Sequence, residues 1–141
     1  MKYILLTLTL LFATFTLSAQ TILGEWETYD DNTNEKKSIV EIFENNNIYY
    51  AKIKETFMVA PDATCEECKG EKKGQPIIGL QVIEGLKKKG DSYEGGTALD
   101  PESGKIYKCY LQLESPDKLK VRGYIGFSLL GRTQYWKRKV G

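Results

Sequence analysis

The chain has 141 residues, of which 41% are hydrophobic: enough to bury the core of one domain and too few for two. Its 20 basic and 19 acidic side chains nearly cancel, which excludes a protein that holds nucleic acid or anionic lipid through bulk charge. It has no histidine, so the usual general base and the commonest metal ligand are both missing.

Residues 1–19 read as an export leader, with Lys2 as a basic start, an apolar core from Ile4 to Leu17, and a small-residue end at Ser18 and Ala19. Four threonines interrupt the apolar stretch, which is shorter than the ~20 residues a bilayer requires, so stable membrane insertion is not expected. Cleavage after Ala19 leaves residues 20–141 as a single domain with balanced charge, exported to the periplasm or secreted. No cysteine follows the apolar core, so nothing supports a lipid anchor.

From Ile22 onward, apolar and polar residues alternate in short runs, the period of half-buried strands. The first run, Ile22 to Tyr29, puts Ile22, Gly24, Trp26 and Thr28 on one face. Ser38 to Phe43 follows, then Ile48 to Phe57 across the Asn45, Asn46, Asn47 turn. Residues 58–76 break the pattern: Pro61, Asp62, Cys65, Cys68, Gly70, Gly74 and Pro76 leave no periodic apolar face, and a loop this long is uncommon without a purpose or a staple. Alternation resumes over Ile77 to Leu86, Ser92 to Leu99, Ile106 to Leu113, Leu119 to Ile125 and Arg132 to Lys139. Asp100, Pro101, Ser103 and Gly104 mark a turn between two of these runs.

About eight strands at this spacing point to an all-β domain, a sandwich or a barrel. Short links between consecutive runs make an antiparallel up-and-down meander, and closing it into one small barrel removes exposed edges. Such a barrel is filled by side chains or holds one small ligand. Tyr107, Cys109, Leu111 and Leu113 share a face of the sixth run, so Cys109 is expected to point inward as an inert core thiol.

Gly24 and Trp26, the Cys65, Cys68, Gly70 loop, Pro76 and Gly79, Gly95-Gly96, Asp100 to Lys105 with Tyr107, Arg122 to Gly126, and Gly131 to Arg138 form an ordered series. It resembles the exported bacterial family catalogued as domain of unknown function 2147, over about Leu23 to Arg138. That resemblance implies a small lipocalin-like barrel and no assigned activity. A second likeness is to lipocalins, whose opening strand carries Gly-x-Trp and whose closing strand supplies an Arg that packs on the Trp. Gly24, Trp26 and either Arg132 or Arg138 match those parts, and the likeness implies a structural plug at one barrel end.

Cys65-x-x-Cys68 admits three readings. A structural zinc site requires four ligands, and only Glu66, Glu67 or Asp62 stand near to complete two thiolates. A redox pair requires a helix N-terminus in a βαβ setting, which the pattern lacks. A disulfide stapling the long loop in an oxidising compartment fits best. Asp30-x-Asn32-x-Asn34, with Ser38 and Glu41, mimics calcium-loop spacing, but Glu35 stands where that loop requires Gly, and the flanks are strands. No metal and no cofactor is expected.

For catalysis, Glu25, Glu27, Asp100, Arg122 and Tyr124 are the available polar groups, and no spacing pairs two of them. On the last strand Arg132, Gln134 and Trp136 share a face. If that face lines the interior, an Arg and a Gln there suit a carboxylate headgroup, with Tyr107 nearby; if it faces out, the patch is solvated or meets a partner. Tyr49, Tyr50, Tyr107, Tyr110 and Trp136 suit a lined pocket as well as a plain core. The expectation is a non-enzymatic envelope protein that binds a small, partly apolar or carboxylate-bearing ligand. The alternatives are an envelope interaction module with a filled barrel and an unidentified protein partner, and, behind both, a hydrolase without histidine.

Overall fold

The computed structural model describes residues 20–140; the expected export leader, residues 1–19, lies outside them. Eight strands run in order: β1 (Gly24–Tyr29), β2 (Lys36–Asn45), β3 (Ile48–Thr56), β4 (Gln81–Lys89), β5 (Ser92–Leu99), β6 (Ile106–Ser115), β7 (Lys118–Tyr124) and β8 (Gly131–Arg138). Each pairs antiparallel with its sequence neighbour, and β8 returns to β1, closing the barrel. No helix among the described residues is long and apolar enough to cross a membrane.

Period-two alternation sets the wall. Trp26 pairs with Val40, Leu111 with Val121, and Leu119 with Trp136, and all six are buried. A residue and its cross-strand partner face the same side, so these pairs define the inner face. Bulges adjust it locally: the register slips between Ile39 and Val40, which are both buried although adjacent in sequence.

The two ends differ. At the first, tight polar turns link β2 to β3, β4 to β5 and β6 to β7, and the β2–β3 turn is closed by Asn46 and Asn47 at φ 52 and 65°. Here the Trp26 indole donates to Ile22 O at 2.8 Å, and the Arg138 guanidinium lies 4.3 Å from the Trp26 ring centre. Arg138 also donates to Pro116 O, Leu23 O and Thr21 O at 2.8, 2.9 and 2.7 Å. Gly24, at φ +116°, lets the chain pass this cation: a Cβ there would sit 3.4 Å from Arg138 Nη1. Of the two arginines matched to the plug, Arg138 occupies it and Arg132 does not.

At the other end the longer β1–β2, β3–β4, β5–β6 and β7–β8 loops form a mouth. The β3–β4 loop corrects the sequence reading, which found no periodic apolar face over residues 58–76 and began the next strand at Ile77. The strand begins at Gln81, and Cys65, Cys68, Ile77 and Leu80 are buried in the same core cluster as the barrel. These anchors have no period because the backbone around them is irregular. Cys65 N–H donates to Gln75 O, Ile77 N–H to Ala63 O, and Gly74 N–H to Cys65 O, so the loop satisfies its own polar groups while lying over the core. The Cys65–Cys68 disulfide staples it, and Lys72 ties it to Gln81 O and Glu84.

Candidate functional site

The lumen grades from apolar to polar. Ile22, Trp26, Ile42, Leu86, Leu111 and Leu119 fill the plugged end. One layer higher, Thr28 pairs with Ser38, and their buried hydroxyls hydrogen-bond at 2.6 Å. Burial pushes the Cys109 thiol up to about 12, so it is an unreactive wall residue.

Above this floor the last strand decides the chemistry. Val121 pairs with Gln134 and Leu119 with Trp136, so Arg132, Gln134 and Trp136 line the inner face; of the two orientations open from sequence, this is the one adopted. The Trp136 indole donates to Gln134 Oε1 at 3.4 Å. Gln134 Nε2 in turn donates to Asp31 Oδ2 at 2.9 Å, and Arg132 Nε approaches the same oxygen at 3.2 Å. Two donors from β8 thus converge on one carboxylate oxygen, supplied by the β1–β2 loop.

Tyr107 sits half-buried on the inner face of β6, one strand beyond β7. Gly123, the partner of both Cys109 and Arg132, stands between; a Cβ added there would touch Tyr107 Cβ at 3.7 Å, an ordinary van der Waals contact. Arg132, Gln134 and Tyr107 therefore stand on one side of the mouth, while Trp136, paired with Leu119, lies deeper toward the plugged end. The opposite side is covered by the β3–β4 loop and by the Lys37–Glu102 ion pair of 2.8 Å, which joins β2 to the β5–β6 turn. Tyr50 and Tyr110 do not line the interior: Tyr50 stacks on Phe43 at 5.5 Å and Tyr110 lies 6.4 Å from Tyr124, all on the outer wall.

Beside this site β1 and β8 part. Only Trp26–Arg138 and Glu27–Lys137 pair across them, and toward the mouth a cleft of about 230 Å3 opens between Tyr29, Asp31, Asn34, Thr133, Gln134 and Tyr135. The Tyr29 hydroxyl at its edge donates to Glu27 at 2.7 Å. That bond raises Tyr29 from 10.0 to about 12, with burial adding to it. The same bond, then that from Lys36, holds the Glu27 carboxyl below the usual carboxylate range.

Sequence reasoning missed Asp31, the residue that reveals the pair of donors. Its signal was faint: one acid in a turn already explained by Asp30, whose Oδ1 accepts the Asn32 and Thr33 amides at 2.9 Å. Glu25 meets Lys139 at 3.2 Å, Asp100 caps its own turn by accepting from Glu102 N–H and Ser103, and Arg122 props a loop. No cluster of three or more Cys, Asp or Glu suited to a metal ion occurs among the described residues.

The model of a family described as uncharacterized proteins conserved in bacteria (DUF2147) matches residues 24–138. Among solved structures, the chain is similar to protein HP1028 from Helicobacter pylori, described as belonging to the lipocalin family. The identity is 23%, the TM-score 0.76, and the match covers 85% of this chain and 84% of that one. A redesigned β-barrel matches at 15% identity and a TM-score of 0.46, over 84% of this chain and 91% of that one. No curated protein matches.

Proposed function

We propose, from the premise that this chain belongs to the DUF2147 family, that it is an exported, non-enzymatic lipocalin-like barrel holding a small, partly apolar, carboxylate-bearing ligand at its mouth. The observation that carries this is the convergence of Arg132 and Gln134 on Asp31 Oδ2. Donors held by a rigid strand around one carboxylate oxygen form a cradle that a ligand carboxylate fills equally well, and such charge-assisted bonds are the strong ones. The ligand's apolar part then rests against Val121 and Tyr107, above the Trp136 ring. The filled floor below keeps the ligand small and near the surface.

The test begins with native mass spectrometry of protein isolated from its own cell envelope, where a bound small acid is expected. Titration with medium-chain fatty acids follows. Arg132→Ala weakens binding about tenfold, or ~1.4 kcal/mol, a modest figure because the side chain is 69% exposed. Asp31→Asn removes the competing carboxylate and tightens binding. A bare mass together with titrations that neither variant alters would overturn the reading.

The filled lumen favours one second reading, an envelope interaction module that works through the Cys65–Cys68 loop. Replacing both cysteines by Ala separates the two, since it abolishes partner capture only under this reading.

A further inference from the structure

The β7–β8 loop carries a feature the mouth site does not use. Residues 123–131 hold no charged side chain, and Ile125, Phe127, Leu129 and Leu130 are 63, 76, 89 and 66% exposed. The loop is internally braced: Ile125 N–H donates to Leu130 O, and Leu130 N–H to Phe127 O. From β7, Arg122 donates through Nε and Nη2 to Ser128 O at 3.1 and 2.7 Å, and through Nη1 to Thr133 at 3.0 Å. Four large apolar side chains are thereby turned to solvent beside a mouth into which they do not fold. A contiguous patch of this kind marks a contact site.

Its surroundings say what it contacts. Lys108, exposed, is paired with Tyr124 on the neighbouring strand, and Lys105, also exposed, lies on the adjacent rim, whereas Arg122 is taken up by Ser128 O and Thr133 and Arg132 by Asp31. An uncharged apolar tip beside two exposed lysines complements a phospholipid bilayer: the tip meets the acyl boundary and Lys105 and Lys108 meet the phosphates. This complementarity is local and owes nothing to net charge. A second copy of the chain fits less well, because four side chains on one convex tip bury less than the ~800 Å2 per partner of a standard interface.

We propose that the Ile125–Leu130 tip inserts into the headgroup region of a phospholipid bilayer, turning the barrel mouth toward the membrane. This stands on the loop alone, so loss of the carboxylate site leaves it intact.

The experiment floats protein isolated from its own cells with vesicles of phosphatidylethanolamine and phosphatidylglycerol. The wild type floats, and binding falls several-fold on phosphatidylcholine alone. Phe127→Asp combined with Leu129→Asp lowers the floated fraction at least tenfold. Tyr135→Ser, an exposed aromatic on the outer wall, leaves it unchanged. Because the tip side chains are exposed, the variants keep the fold, which circular dichroism verifies. Phe127→Trp adds a reporter to the buried Trp26 and Trp136, and its emission shifts to the blue on vesicle addition. Wild type that stays at the bottom of the gradient overturns the proposal. So does a dimer that the paired Asp substitutions abolish while no flotation is seen.

Discussion

At Arg138 a single side chain closes one end of the barrel. Its guanidinium stacks on Trp26 and donates to three carbonyl groups from two distant parts of the chain, Thr21 and Leu23 at its start and Pro116 near its end. The stack contributes roughly 0.5–2 kcal/mol, and hydrogen bonds to a charged group about 1.5–3 kcal/mol each before the cost of ordering. Arg138→Ala is therefore expected to lower unfolding stability by about 2–4 kcal/mol in urea denaturation. Arg138→Lys recovers little of it, since an ammonium has no planar fork to span the three carbonyls. At Tyr29 the effect appears with pH. Its folded value is raised from 10.0 to about 12, so the unfolded chain loses this proton first. The stabilisation is complete below pH 10.0 and drains away as pH rises toward 12. Urea midpoints should fall across that window, and Tyr29→Phe should remove that part of the fall. Glu27 acts in the opposite sense, its stabilisation being lost in acid as pH drops through its lowered value.

Among the elements, the β3–β4 loop behaves as a lid held from both sides. Gly104, at φ +72°, presses its backbone against Glu67 O, leaving no room for a Cβ. Gly104→Ala combines a steric clash with a backbone geometry that L side chains resist, at a cost of about 2–3 kcal/mol. The melting temperature should drop, and trypsin should cut at Lys69, Lys72 and Lys73 faster than in the wild type. Unchanged cutting would mean that the lid is not packed as described. Sequence reasoning read the walls well and the lid poorly, for a physical reason. Strands announce themselves because alternate side chains must be buried, as in Tyr107, Cys109 and Leu111. Ile77 and Leu80 are anchored by hydrogen bonds of irregular backbone, and no spacing encodes that. The inward face of β8 was ambiguous because Arg132, Gln134 and Trp136 are no more apolar as a set than Thr133, Tyr135 and Lys137. Only pairing with Leu119 and Val121 resolves it.

For the molecule as a whole, the two ends separate the tasks. The plugged end carries the apolar core and the cation stack, so it holds the fold. The mouth gathers the Arg132, Gln134 and Asp31 cluster, the lid and the apolar tip, where exposed tip positions tolerate substitution with little loss of stability and packed ones such as Gly104 do not. Most of the wall offers no free edge, but the short pairing between β1 and β8 leaves the mouthward parts of both without each other. That gap is guarded by Asp31, already bridged to Arg132 and Gln134, and beside it the Asp30 turn bends the chain away. An incoming extended segment would meet an exposed, ion-paired carboxylate and a reversed backbone where it sought a flat row of amides. Crowded copies of the barrel therefore find no template there for strand-by-strand growth into fibres.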